Sequence, residues 1–151
     1  MKCILIMLTF LNLSVLLHAQ SAEDSVKAVI NSLFAGMKGA NADMIKAAFS
    51  DSAILQTISR NKEGRMVVVT DKVDDFASLV GTLKKDSADE RIVFGVIKID
   101  GPLAMAWTPY NFFYNGKFDH CGANSFQLVR LDGLWKIQYL IDTRRRKGCG
   151  N

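Results

Sequence analysis

Residues 103–146, LAMAWTPYNFFYNGKFDHCGANSFQLVRLDGLWKIQYLIDTRRR, constrain the fold more than any other part of the chain, because they read as three successive long strands joined by two tight hairpin turns. Asn115-Gly116 and Asp132-Gly133 are dipeptides that tolerate positive φ at a two-residue connection between twisted strands. Centring each loop on its dipeptide pairs Tyr114 with Lys117 and Leu131 with Leu134. An uninterrupted register then sets Met105, Phe126 and Tyr139 side by side. One face carries Leu103, Met105 and Trp107, then His120, Asn124, Phe126 and Leu128, then Trp135, Ile137, Tyr139 and Ile141. The opposite face carries Ala104, Ala106, Thr108, Tyr110, Asp119, Ser125, Gln127, Lys136, Gln138 and Asp142 and is mostly polar. Such alternation predicts an antiparallel sheet with one side packed and the other wet.

The cover for the packed side must come from earlier in the chain, which reads as helical. Ser21 with Asp24 three residues on forms a capping-box pattern, and Val26, Val29, Ile30, Leu33, Phe34 and Met37 repeat at helical spacing up to Gly39. Asn41 can cap a shorter helix bearing Met44, Ile45, Ala48 and Phe49. Residues 53–58 read as a short strand, 61–64 as a turn and 65–69 as a second short strand. Thr70 is the expected cap of a third helix with the stripe Val73, Phe76, Leu79, Val80 and Leu83. A further strand over 91–100 leads through Gly101-Pro102 into the long hairpins. Helices, short strands, a helix and a final meander define an α+β class, with helices packed on one face of a bent antiparallel sheet.

Residues 1–19 resemble a secretory signal: Lys2 is the positive start, 3–17 the apolar stretch and Ala19 the small residue before the cut. A membrane anchor is the alternative, but the apolar stretch is at or below the ~17 to 20 residues that span a bilayer. The mature chain would hold 132 residues (151 − 19), enough for one core, with a domain over 20–143 and a basic tail over 144–151. Without Lys2 there are 18 basic and 15 acidic residues, a net charge of +3. Arg144, Arg145, Arg146 and Lys147 supply four of the positives, so the high pI reports the tail. That run reads either as a solvated chain end or as an anion contact. One four-residue cluster on an exported protein lacks the extended footprint that nucleic acid requires, and no membrane span is expected in the mature chain. Cys121 and Cys149 are the two cysteines left after cleavage, and in an oxidising compartment they are candidates for a disulfide, with a half-buried thiol and a free terminal thiol as the alternative. One histidine in the mature chain and no ligand pair at metal spacing predict no metal site.

Helix, short helix, strand AILQTI, third helix and long strands with WTPY, GKFDHCG, FQLVRLDGLWKI and DTRR resemble the nuclear transport factor 2-like superfamily, in its bacterial SnoaL-like (polyketide-cyclase-like) and lumazine-binding branches. The resemblance covers residues 21–143 and is most specific in FQLVRLDGLWKI, with FSDSAIL similar to the entry into the first strand. It implies a cone whose helices and curved sheet enclose an apolar cavity, usually within a homodimer. The superfamily holds isomerases, dehydratases, epoxide hydrolases and members without known chemistry. Around FSDSAILQTI, the position of an isomerase's general base falls on Thr57 or Gln56, neither of which takes a proton at neutral pH. A dehydratase-like site needs more than one histidine. A cyclase-like site needs a single acid/base group in a dry cavity, for which His120 or Asp142 would serve; without a bulge these two lie on opposite faces.

The candidate cavity residues each carry a structural alternative. His120 is an acid/base or ligand-binding donor, or a satisfied core histidine. Trp107, Tyr110 and Tyr139 can stack on a flat ligand, or simply pack as strand aromatics. Asn124 is more pointed, because a buried amide without partners costs on the order of 1 to 3 kcal/mol. These residues point to an exported binding module for a small apolar or aromatic ligand, requiring no cofactor. A cyclase or isomerase using His120, and a structural dimer subunit without ligand, are the alternatives. The expected location is the periplasm or the exterior. N-terminal sequencing of the mature protein should find a start next to Gln20; retention of Met1 in the cytoplasm would remove the oxidising compartment and the case for the disulfide.

Overall fold

The structure, a computed structural model, describes residues 21–149. The expected signal at 1–19 lies outside the described residues. Helix α1, Ala22–Lys38, begins where Ser21 Oγ accepts the Asp24 amide, so Ser21 is the N-cap; the Asp24 carboxylate accepts from Ser21 Oγ and not from the Ser21 amide of a full capping box. Helix α2, Ala42–Ala48, is capped by Asn41, whose side-chain oxygen accepts the Met44 amide. Strand β1, Phe49–Arg60, is twice the expected length, and β2, Met66–Asp71, runs through Thr70. Thr70 is therefore a strand residue bonded to Gln56, and helix α3, Val73–Gly81, starts after Lys72 with no side-chain cap. The single strand expected over 91–100 is two: β3, Ala88–Ile92, and β4, Val96–Asp100. They pair in turn with the two halves of β5, Leu103–Tyr114. Strands β6, Lys117–Leu131, and β7, Leu134–Thr143, complete the sheet.

The strand order is β2-β1-β7-β6-β5-β3, with β4 also on β5. The pairing is mixed and not all antiparallel, since β1 lies parallel to β7. Three helices thus pack on one side of a curved seven-stranded sheet, an α+β cone as expected. Their apolar stripes meet the sheet around Ile30, Leu33, Ile45, Phe126, Leu128 and Ile137, all essentially inaccessible to water. Phe34 of α1 stands edge-on to Phe126 at 6.2 Å between ring centres, a favoured aromatic geometry.

Both hairpin turns are as the dipeptides require: Asn115, Gly116, Asp132 and Gly133 all have positive φ, and Tyr114 faces Lys117 while Leu131 faces Leu134. Away from the turns the register changes twice. Between the Phe113–Phe118 and Phe112–His120 pairs β6 has one extra residue, Asp119; between Leu128–Ile137 and Gln127–Tyr139 β7 has one extra residue, Gln138. A one-residue slip moves every later side chain to the other face. Phe126 therefore lies between Ala106 and Leu140, not between Met105 and Tyr139. The inner face of β5 carries Ala104, Ala106, Thr108 and Tyr110, all buried, whereas Leu103 and Trp107 are 51% and 43% exposed. The assignment of Leu103, Met105, Trp107, Tyr139 and Ile141 to the packed face is corrected by these two bulges, and Tyr110 moves from the wet face to the packed one.

Gly122 sits on the inner face directly beneath Tyr110. A Cβ there would come within 1.8 Å of the Thr143 carbonyl oxygen and 2.7 Å of the Tyr110 ring, so only glycine permits this approach of ring, β6 and β7. Gly122→Ala should cost about 3 kcal/mol or more in urea unfolding, as overpacking against backbone that has no room to yield. Ala123→Ser, one residue further along the strand, should cost less than about 1 kcal/mol.

Candidate functional site

The Gln138 bulge turns the far half of β7 so that Leu140 and Asp142 face the helices. Asp142 is a buried carboxylate, and a buried charge is tolerable only when paired and fully hydrogen-bonded. Two other strands and the segment after β7 supply its partners. Thr57, its neighbour across the parallel β1–β7 ladder, donates to Oδ1 at 2.6 Å. Arg144 Nε donates to Oδ2 at 3.0 Å, and Arg144 Nη2 reaches Thr57 Oγ1 at 3.1 Å. The Tyr110 hydroxyl, resting over Gly122, reaches both Asp142 Oδ2 at 3.0 Å and the Thr143 carbonyl at 2.9 Å. Burial first, then the charges of Asp142 and Glu90, push the Tyr110 phenol well above its ordinary range, so it stays a neutral donor. Burial works against the Arg144 charge, but the adjacent Asp142 outweighs it and holds the guanidinium protonated.

Beside this cluster lies Asn124, 3% exposed and paired with Thr108 on one side and Asp142 on the other. Its Nδ2 donates to Glu90 Oε1 at 2.8 Å and, more weakly, to Thr108 Oγ1 at 3.3 Å. Glu90 comes from β3, where alternation turns it inward between Asp89 and Arg91. Those two point the other way, and Asp89 binds both Arg91 and Lys38. Burial pushes the Glu90 carboxyl up to about 7; the Asn124 hydrogen bond opposes this, the Asp142 charge adds to it and Arg144 offsets part of it.

A cavity of about 60 Å³ opens onto these groups. Its polar end is formed by Thr57, Glu90, Asn124, Asp142 and Arg144, with Asp71 from the end of β2; its apolar wall is Leu33, Phe34, Met37, Leu55, Phe76 and Leu140. The volume is several times the ~10 to 15 Å³ that one water requires, and well below the ~300 to 1,000 Å³ of a pocket for a drug-sized ligand.

Of the sequence candidates, Asn124 and Asp142 line this cavity and Tyr110 buttresses it from behind. The bulges put His120 and Asp142 on the same side of the sheet. His120 nevertheless stands outside the cavity lining: its ring lies between Tyr110 and Phe112, at 5.6 and 4.9 Å, and its Nδ1 meets Asp119 Oδ2 at 2.6 Å. Trp107 is on the outer face, and Tyr139, also outward, donates to Gln56 Oε1 at 2.7 Å. A space shared by His120, Asn124, Trp107 and Tyr139 does not form. Cys121 and Cys149 are joined, with Cα atoms 5.8 Å apart. Cys121 lies opposite Arg145 and exchanges two backbone hydrogen bonds with it at 2.9 Å. The basic run is accordingly built into the domain edge: Arg144 binds Asp142 and Arg146 reaches Asp119 at 3.3 Å. Among the described residues no group of three His, Cys, Asp or Glu side chains is arranged to hold a metal ion. Sequence reasoning missed Glu90 and Arg144. The alternation of Asp89, Glu90 and Arg91 was the available signal for the first; nothing in a terminal basic run marked the second.

No family model matches the chain, and no curated protein matches its sequence. Solved structures do match its fold. A nuclear transport factor 2-like protein of unknown function from Shewanella baltica superposes with a TM-score of 0.67 at 15% identity, covering 83% of this chain and 94% of its own. One from Methylobacillus flagellatus gives 0.64 at 19%, covering 83% and 95%. A domain of unknown function with a cystatin-like fold from Nostoc punctiforme gives 0.64 at 16%, covering 83% and 78%.

Glu90 makes stability depend on pH with a definite sign. Its folded pKa of about 7 lies above the ordinary carboxyl value of 4.5. Its stabilising contribution is complete below pH 4.5 and is lost as pH rises through about 7. Relative to Glu90→Gln, the wild-type protein should lose on the order of 1 to 3 kcal/mol between pH 4.5 and 8 in denaturant titrations. Parallel stability profiles for the two proteins would contradict this account of Glu90.

Proposed function

We propose, for a chain with the nuclear transport factor 2-like fold, that it is an exported small-molecule-binding module whose ligand enters the cavity between α1, α3 and the sheet. The observation that supports this is the cavity itself: an apolar wall ends in a buried polar cluster, the arrangement that orients a small ligand. Export to the periplasm or the exterior is supported by the signal-like residues 1–19 and fits the Cys121–Cys149 bond. No helix among the described residues is long and apolar enough to cross a membrane. A homodimer through the outer sheet face is part of the same reading. Tyr110 is not on that face, but Ile54, Val96, Leu103, Met105 and Trp107 are all more than a third exposed there, an apolar area that a second copy would cover.

A cyclase- or isomerase-type reaction remains the second reading, with the acid/base role moved from His120 to Glu90, because Glu90 lines the cavity and is held near neutrality. The test is native mass spectrometry of the protein purified from its own host, alongside Leu55→Phe, which fills the cavity from β1. A small molecule should travel with the wild type and be lost from the variant, whose melting temperature should move by only a few degrees. A wild-type protein that carries nothing, and whose cavity residues give no chemical-shift change with small organic probes, would overturn the binding reading.

A further inference from the structure

We propose that the polar end of the cavity is an ammonium site, and that the ligand is a small primary amine with a short hydrocarbon stem. This rests on the binding reading and names the ligand's chemistry. The hydrogen-bond inventory is one-sided. Asn124 uses its Nδ2 on Glu90 and Thr108, which leaves Oδ1 as an open acceptor. Glu90 receives only the Asn124 bond, on Oε1, so Oε2 has no protein donor among the described residues. Asp142 already takes three bonds, from Thr57, Tyr110 and Arg144, and Arg144 turns its Nε and Nη2 to Asp142 and Thr57. Beside Glu90 and Asn124 the open groups are therefore acceptors, and an ammonium brings three donors and no acceptor.

Charge selects in the same direction. The lining holds Glu90, Asp142 and Asp71 against Arg144 alone, a balance of −2 (1 − 3) when Glu90 is ionised, which disfavours carboxylates and phosphates. The apolar wall from α1, β1, α3 and β7 accommodates the stem, and the cavity's size limits it to a few carbons. An ammonium at Glu90 would replace the solvation that burial removes, and so would draw the carboxylate into its ionised form. The groups that face Glu90 are Asn124 and Thr108, Tyr110, and Asp142 with Arg144; Asp71 joins the lining from the end of β2, and α1 and α3 contribute only Leu33, Phe34, Met37 and Phe76. The ligand stays protonated up to about pH 10, as lysine does. Below about pH 7, amine binding must release the proton from Glu90 and weakens by up to tenfold per pH unit.

The experiment titrates the full chain with n-butylammonium, 1-butanol and butyrate, three probes of one stem and different charge, at pH 8 and 5.5. The amine should bind at least tenfold tighter than the alcohol at pH 8 and lose at least tenfold at pH 5.5. Glu90→Gln should weaken the amine at least tenfold while leaving the alcohol within about threefold. Alcohol or butyrate binding as tightly as the amine, or amine binding unchanged in Glu90→Gln, would overturn the ammonium site while leaving the cavity a binding site. Failure of all three probes to bind would overturn both.

Discussion

A buried negative charge at Asp142 is the constraint around which the rest of the interior is arranged. A carboxylate taken out of water needs several donors at once, and no single element can supply them. Thr57 ties in β1, which runs parallel to β7, Tyr110 crosses from β5, and Arg144 comes from the continuation of β7 along β6. Gly122 is required because Tyr110 must lie flat against β6 to reach that carboxylate. Asn124, the ladder neighbour of Asp142, holds Glu90 of β3 beside this cluster. One carboxylate thereby couples β1, β5 and β7, with Asn124 of β6 and Glu90 of β3 set beside it, and the cavity is the space left between these polar groups and the helix stripes.

The sequence resolved what local chemistry controls. Cap residues Ser21 and Asn41, the apolar period of α1 and the two hairpin dipeptides each act through atoms within a few residues, and each appears where expected. The faces of β5 and outer β7 were not legible, because they depend on Asp119 and Gln138. Neither is a glycine or proline, and a bulge at such a residue is decided by what the neighbouring strands must reach. Hydrophobicity also pointed the wrong way: Ala104, Ala106 and Thr108 are small because the core above them is filled by helix side chains, while Leu103, Met105 and Trp107 remain accessible. The resemblance carried by FQLVRLDGLWKI identified the cone correctly but could not choose between Asp142 inside and Asp142 outside.

His120 illustrates how a plausible site residue differs from a cavity residue. It is the histidine of the described residues, it faces inward, and it packs edge-on to Tyr110 and tilted against Phe112. Yet its hydrogen bond runs to Asp119, whose carboxyl the His120 bond, opposed by slight burial and joined by the Arg146 charge, holds below the usual range. Titratable chemistry inside the cone falls to Glu90, an unremarked glutamate in a charged strand, because strand parity and burial, not residue type, determine which acid meets the empty space.

The bond between Cys121 and Cys149 closes a covalent ring across a sequence separation of 28. That ring contains most of β6, all of β7 and the segment bearing Arg144, so Asn124, Asp142 and Arg144 are members of one closed loop, while Thr57, Glu90 and Tyr110 approach it from outside. In chain-entropy terms such a ring restricts the unfolded ensemble by about 3 to 4 kcal/mol. It also divides the site kinetically: strand opening can separate the outer members from the ring, but the ring residues cannot drift apart from one another beyond the reach of their loop. In an oxidising compartment, local opening would therefore release the β3 and β5 side of the cavity first and leave the carboxylate with its arginine as the last intact pair.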